Sequence, residues 1–284
     1  MSNTEQLHAD QVAYWNGPGG AHWVAQQAFT DVQLSPVTAA LFAAARIAPG
    51  QLVLDVGCGC GTTTLLAADA VGPEGQVTGL DVSEPMLSWA RQRGAARPNV
   101  TWLLADAATH AFAPATADLL LSRFGVMFFG NPVAAFANLR PALRQGGRLV
   151  FVCWRAFDEN PWMQLPLHAA YRHVPRLPKP GPEDPGPFAF ADPDRIRRVL
   201  TGAGWPEPVL TPVDMMLDVG AGGGLDRAVE QATHIGAASR ALREAPAEAR
   251  APAIVAIREV LADYVSGDGV RLPGAVWVVS ADKE

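Results

Sequence analysis

The segment from Leu52 to Thr64, Leu-Val-Leu-Asp-Val-Gly-Cys-Gly-Cys-Gly-Thr-Thr-Thr, constrains the fold more than any other part of the chain. A short apolar run, then glycines at every second position, then a helix-compatible stretch describes a buried strand turning sharply into a helix. Gly57, Gly59 and Gly61 suit such a turn because positive φ and close approach by a ligand both exclude a side chain. The amides that open the helix direct partial positive charge at whatever binds, which favours a carboxylate or ribose oxygens. Taken alone, the turn fits a dinucleotide fingerprint or a tight strand-to-helix connection without a ligand equally well.

The same rhythm continues to residue 154. Strands are expected at Leu52–Val56, 77–80, Val100–Leu104, 118–122 and 148–154, with helices between them, the pattern of an α/β fold with a parallel sheet. Ser83-Glu84-Pro85 supplies a capping hydroxyl and an early proline for one helix, and Gly94 stops it. Asn131-Pro132 opens the next helix in the same way, and Gly146-Gly147 turns the chain into the fifth strand. Two further apolar runs, 209–217 and 275–280, read as strands at the sheet edge.

Acids stand at successive strand ends. Asp81 follows Asp55 by 26 residues, so a doubly wound sheet brings both to its carboxyl edge beside the glycine turn. There Asp81 can accept both hydroxyls of a ribose, and the competing role of helix cap is already filled by Ser83. Asp106 ends the third strand, where a carboxylate can accept from an exocyclic adenine amine while Val82 and Met86 offer apolar surface to the ring. Three such acids are hard to explain as packing, because unpaired carboxylates are costly even when partly buried.

The carrying residues are Asp55-Val-Gly-Cys-Gly-Cys-Gly, Gly79-Leu-Asp-Val-Ser, Ala105-Asp-Ala, Asp118-Leu-Leu-Leu-Ser-Arg-Phe and Gly146-Gly-Arg-Leu-Val. With them the chain resembles the class I S-adenosylmethionine-dependent methyltransferases, in particular the ubiquinone/menaquinone C-methyltransferase relatives. The resemblance covers about a third of the chain. It implies a Rossmann-like seven-stranded sheet with its last strand antiparallel, and S-adenosyl-L-methionine as cofactor. It also implies Gly57, Asp81, Asp106, Ala107 and Ser122 at the cofactor, with the residues near Asp55 and Ser122 holding the methionine end. The chain departs from the pattern in a long segment between the last two strands and in a proline-rich insertion after Trp154.

An NAD-dependent oxidoreductase on the same sheet is the rival enzyme, but it expects a glycine where Thr62 stands and leaves Asp106 unexplained. A regulatory protein that binds S-adenosylmethionine without turning it over is the other alternative. Among 284 residues, a net charge of −6 with scattered basic side chains offers no footprint for nucleic acid. Three cysteines, Cys58, Cys60 and Cys153, are too few for a disulfide framework, and Cys58 and Cys60 lack the second ligand pair that a metal site needs. No apolar run reaches the roughly 20 residues that span a bilayer. These features lead to the expectation of a cytoplasmic protein, without integral membrane association or metal, acting on a small-molecule methyl acceptor and possible as a homodimer.

Around the cofactor-binding core at 47–154 and its continuation at 193–218, three segments break the rhythm: an N-terminal helical lid at 1–46, a substrate-cap insertion at 155–192 and a helical insertion at 219–272. Residues 273–284 then form the last core strand. The third segment carries two alanine-rich helical stretches, 225–243 and 252–265. The run Leu217-Asp-Val-Gly-Ala-Gly-Gly-Gly mimics the first glycine motif, but no strand ending in an acid follows at the needed distance. If Asn160 caps a helix at Pro161, His168 and Tyr171 share one face and become candidates for a catalytic base or an acceptor clamp. Trp154, Phe157, Trp162, Tyr171, Phe188 and Phe190, with no cluster of basic residues beyond the isolated Arg155 and Arg172, favour an apolar or aromatic acceptor. The Pro/Gly content of 175–187 suggests a mobile lid.

Overall fold

The computed structural model describes residues 3–179, 181 and 183–284. Four helices lead in: α1 (Asn3–Asn16), α2 (Pro18–Ala25), α3 (Gln27–Gln33) and α4 (Ser35–Ala45). The alternating core follows as β1 (Leu52–Val56), α5 (Thr62–Val71), β2 (Gln76–Asp81), α6 (Glu84–Arg93), β3 (Val100–Leu104), β4 (Ala117–Arg123), α7 (Pro132–Leu139) and β5 (Leu143–Trp154). Beyond it lie α8 (Pro161–Ala170), α9 (Pro193–Gly202), β6 (Val209–Asp218), α10 (Gly224–His234), α11 (Gly236–Glu244), α12 (Ala247–Ala262), β7 (Val265–Ser266) and β8 (Gly269–Asp282).

The sheet runs in the order β3-β2-β1-β4-β5-β8-β6, with β7 paired to β8 outside that path. Strands β1 to β5 are parallel, and β8 is antiparallel to both of its neighbours. The sheet is therefore mostly parallel and Rossmann-like. Its central strands are covered on both faces, so Leu80, Leu119, Leu120, Leu121 and Phe151 are withdrawn from water. A second apolar cluster, including Leu242, Ala253, Ile257 and Leu261, joins α8 to α10, α11 and α12.

Local capping follows the sequence at two helices. Ser83 Oγ accepts from the Met86 amide, and Asn131 Oδ1 accepts from the Ala134 amide. Asn160 does something else. It is fully buried and cross-braces the fold: Oδ1 accepts from Ala275 N at 2.9 Å, and Nδ2 donates to the carbonyls of Arg155, Ala156 and Ala275.

Several boundaries differ from the sequence expectation. β5 begins at Leu143, with Gly146 at φ +74° inside it and a register irregularity opposite Ala117/Leu119, so the glycine pair bulges a strand already under way. β8 starts at Gly269 rather than 275, because its pairing with β6 continues through Arg271↔Asp218. The helical stretch at 225–243 breaks between His234 and Gly236, where Ile235 is extended and Gly236 has φ +84°.

The segment 155–192 is not a free lid throughout. Phe190, 1% exposed, packs against Phe136 and Phe151, Trp277 Nε1 donates to Ala191 O, and the Gly186 amide donates to Met127 O. The backbone after residue 174 stays irregular, as its composition implies, but apolar burial pins its end at Ala189 and Phe190 to the core.

Candidate cofactor site

Register brings the strand ends together. Val56 lies beside Leu80 and Asp81 beside Leu104, so Asp55, Asp81 and the loop carrying Asp106 share the carboxyl edge of the sheet. Gly57 and Cys58 donate their amides to Leu80 O, which closes the turn against β2. Gly57, Gly59 and Gly61 all have positive φ, +68°, +54° and +85°. Their surroundings separate their roles. A Cβ on Gly57 would stand 2.6 Å from Gly125 Cα, and one on Gly61 would stand 2.5 Å from Trp102 Cη2. A Cβ on Gly59 would meet only Met86 Sδ at 3.7 Å and Trp23 Nε1 at 4.0 Å. Gly57 and Gly61 are packing glycines, whereas Gly59 is the one whose bare face looks into the space between Met86 and Trp23.

Each of the three acids has protein partners, which removes the premise that they stand unpaired. Asp55 is fully buried and its Oδ2 accepts from Thr63 Oγ1 at 2.6 Å and Thr64 Oγ1 at 2.7 Å. Its Oδ1 is buried without a partner. Burial raises the Asp55 carboxyl above its ordinary pKa, against the two threonine hydrogen bonds. Asp81 accepts from Gly59 N at 2.7 Å and Ser83 N at 2.9 Å, and burial pushes its pKa up to about 6 in spite of those bonds. Asp106 accepts from Ala108 N and Thr109 Oγ1, and its Oδ2 lies 3.0 Å from His8 Nε2 of α1.

The remaining expected residues divide in the same way. Met86 lies against Gly59. Val82 contributes its carbonyl to Asn16 Nδ2 at 2.9 Å, and Ala107 contributes its own to Asn138 Nδ2. Ser122 donates to Val56 O at 2.7 Å, tying β4 to the end of β1. Burial raises the thiols of Cys58 and Cys60, the latter to about 12, so both stay protonated. His168 is exposed, its ring meeting Phe157, and the Tyr171 hydroxyl accepts from Leu177 N; both lie in the layer that packs on α11 and α12, not at the glycine turn.

Sequence reasoning missed the polar clamp from α3. Asp31 accepts from Thr62 Oγ1 at 2.7 Å, lies 3.1 Å from Arg93 Nη2 and 3.8 Å from Arg123 Nη2, and Arg93 also donates to Cys60 O. These residues are separated by about 30 to 90 positions, so no local spacing betrays them. Phe124 was missed too. Its φ of +68° is unfavourable for a bulky side chain, and it is held by a 4.4 Å ring stack on Trp154 and by the close approach of the next residue, Gly125, to Gly57.

A second, small concavity of about 30 Å³ lies past the ends of β5 and β6, between α3, α8, α10 and α11. Phe29, Gln33, Trp162, Met163, Gln231 and Ala232 are among the residues that line it. It is not the space above Gly59: on α3, Phe29 and Gln33 face it while Asp31 faces the glycine turn.

The glycine-rich copy at 217–224 makes no comparable site. Asp218 accepts from the amides of Gly220, Gly222 and Val270, and the neighbouring strand β8 brings its amino-terminal start to that edge. An antiparallel neighbour cannot place a strand-end acid beside it.

Residues 53–147 match the family model described as a methyltransferase domain. That part of the chain is a methyltransferase domain. The aklanonic acid methyltransferase DauC of Streptomyces sp. (strain C5) is 36% identical over 104 residues, which are 36% of this chain and 47% of that protein. Demethylmenaquinone methyltransferase of Staphylococcus aureus is 35% identical over 101 residues, 36% of this chain and 42% of that protein. The matched part thus spans less than half the length of these relatives. The YcgJ protein of Bacillus subtilis has the same fold, with a TM-score of 0.54 at 16% identity, over 88% of this chain and 99% of that one. The glycine turn, Asp81 and Asp106 all lie within the matched residues.

Proposed function

We propose that the protein transfers the methyl group of S-adenosyl-L-methionine to a small, apolar or aromatic molecule. The observation that carries this reading is the bare face of Gly59, bounded by Met86 and Trp23, with Asp81 accepting from the Gly59 amide and Asp55, at the end of β1 before the turn, keeping a buried Oδ1 without a partner. A nucleoside with an amino-acid tail suits those groups: Asp81 would accept from ribose hydroxyls, Met86 would face the base, and Asp55 Oδ1 would accept from the tail's ammonium. When bound, the cofactor supplies an activated methyl group on a sulfonium, whose displacement releases a neutral leaving group.

The chain's own task is then positioning and the exclusion of water. Trp15, Trp23 and Phe128 meet edge to face beside the turn, Ser83 Oγ donates to Trp15 O at 2.6 Å, and Asn16 reaches Val82 O and Glu84 N. In this reading α1 and α2, held by these contacts, cover the cofactor and keep water from it. Support for an apolar acceptor comes from the second concavity, which no charged side chain lines among the described residues. No cluster of Arg or Lys offers itself there to a phosphate.

The test is incubation with methyl-labelled S-adenosylmethionine and a metabolite extract, followed by identification of the labelled product. The expected product is an apolar molecule without a phosphate. Cofactor binding without any labelled product would favour a regulatory binder, and no binding at all would overturn the reading.

A further inference from the structure

Asp106 takes one of its partners from outside the parallel core. Its Oδ1 accepts from Ala108 N at 2.9 Å, its Oδ2 accepts from Thr109 Oγ1 at 3.2 Å, and Oδ2 also lies 3.0 Å from Nε2 of His8 on α1. An ionised carboxylate can only accept, so the imidazole N–H is the donor. Two carboxylate oxygens offer about four lone-pair positions, and these contacts occupy three of them. The open position belongs to Oδ1. The Asp106 side chain keeps 20% of its surface accessible, so it is open to a ligand as it stands.

The placement of His8 is built into the fold. A Cβ on Gly130, in the loop before α7, would stand 2.8 Å from His8 Cβ and 3.0 Å from His8 Cα, so the bare glycine is what lets α1 come this close. At the other end of α1, Asn16 Nδ2 donates to Val82 O at 2.9 Å and Asn16 Oδ1 accepts from Glu84 N at 3.0 Å. The helix thus runs from the turn that follows Asp81 to the loop that contains Asp106, and is docked on both. Ala108 and Thr109 belong to the same loop as Asp106 and move with it. His8 alone of these donors refers the carboxylate to a separate element.

We propose that His8 is a positioning residue for recognition of the cofactor's base: by holding Oδ2 it presents the open Oδ1 position to a donor, which selects a 6-amino purine over a 6-oxo purine. This rests on the methyltransferase reading above and deepens it at the base. Adenine brings an exocyclic N–H to the carboxylate, whereas hypoxanthine brings a carbonyl oxygen, so that acceptor faces acceptor. His8 acts only through Asp106 and takes no part in methyl transfer.

The probes are S-adenosylhomocysteine and S-inosylhomocysteine, which differ only in the amine or carbonyl at C6 of the purine, titrated calorimetrically into the full chain. The wild-type protein is expected to prefer the adenosyl compound by roughly tenfold or more, the scale of one hydrogen bond to a charged group. His8→Ala should remove most of that preference, chiefly through weaker binding of S-adenosylhomocysteine. His8→Gln, whose Nε2 can donate to the same oxygen, should restore it. A histidine that merely ties α1 down would, on substitution, lower both affinities together and leave their ratio unchanged. That result, a wild type without preference, or a His8→Gln variant that behaves like His8→Ala would overturn the proposal. Failure of both compounds to bind the wild type would instead defeat the methyltransferase reading itself.

Discussion

Replacing Gly59 and Gly61 by alanine in turn separates ligand contact from packing within three residues. At Gly61 the new Cβ would stand 2.5 Å from Trp102 Cη2 and 3.0 Å from Ala90 Cβ, in a backbone at φ +85°. Left-handed backbone costs a non-glycine residue about 1–2 kcal/mol, and overpacking a tight site adds roughly 1–3. Gly61→Ala should therefore lose about 2–5 kcal/mol of stability. At Gly59 the contacts, 3.7 Å to Met86 Sδ and 4.0 Å to Trp23 Nε1, are ordinary, so only the backbone cost of about 1–2 kcal/mol applies. The ligand contact reverses the order. Gly59→Ala places a methyl group where the cofactor approaches, so its affinity should fall by roughly tenfold or more, with the protein still folded. Urea unfolding and calorimetric titration with S-adenosylmethionine and its demethylated product measure the two quantities. Unchanged affinity in Gly59→Ala would refute the ligand-facing assignment, and equal stability of the two variants would refute the packing argument.

Asp81→Ala should weaken cofactor binding by about 2 kcal/mol, the scale of hydrogen bonds to a charged group. Because burial pushes Asp81 up to about 6, wild-type affinity should also decline as pH falls through that value and an acceptor becomes protonated; Asp81→Asn should flatten the calorimetric pH profile. Gly222→Val, in the second glycine run, has open space around it at φ +79° and should leave cofactor affinity intact in the same titration. His22 is held below its ordinary value of 6.5 by burial, then by His234 and Arg243, so the folded protein binds fewer protons there than the unfolded chain. Its contribution is complete above pH 6.5 and lost as pH falls below it, and the urea midpoint should drop less on acidification in His22→Leu than in wild type.

The parallel core was legible because its signals are local. Gly57-Cys-Gly-Cys-Gly, Ser83-Glu84-Pro85 and Asn131-Pro132 each specify backbone geometry through neighbours a few residues away, and an acid at a strand end reaches the carboxyl edge in any such sheet. Which glycine faces a ligand was not legible. Gly57, Gly59 and Gly61 look alike in sequence and are distinguished by Gly125, Trp102 and Met86, which arrive from β4's exit, β3 and α6. Likewise Asp106 reads as a lone strand-end acid until α1 delivers His8 to it, and Asn160 reads as a helix cap until β8 offers the Ala275 amide and carbonyl. The aromatics after β5 look like a pocket lining, yet Phe190 packs in the core and Trp154 on Phe124, because burial of large rings near the sheet outweighs the irregular backbone that carries them. Periodicity and turn chemistry act over one or two turns of chain. The partner of a side chain is chosen by folding between residues far apart in sequence, so the carboxyl ends of the parallel strands follow from the sequence alone while the clamp at Asp31 emerges only from the tertiary structure.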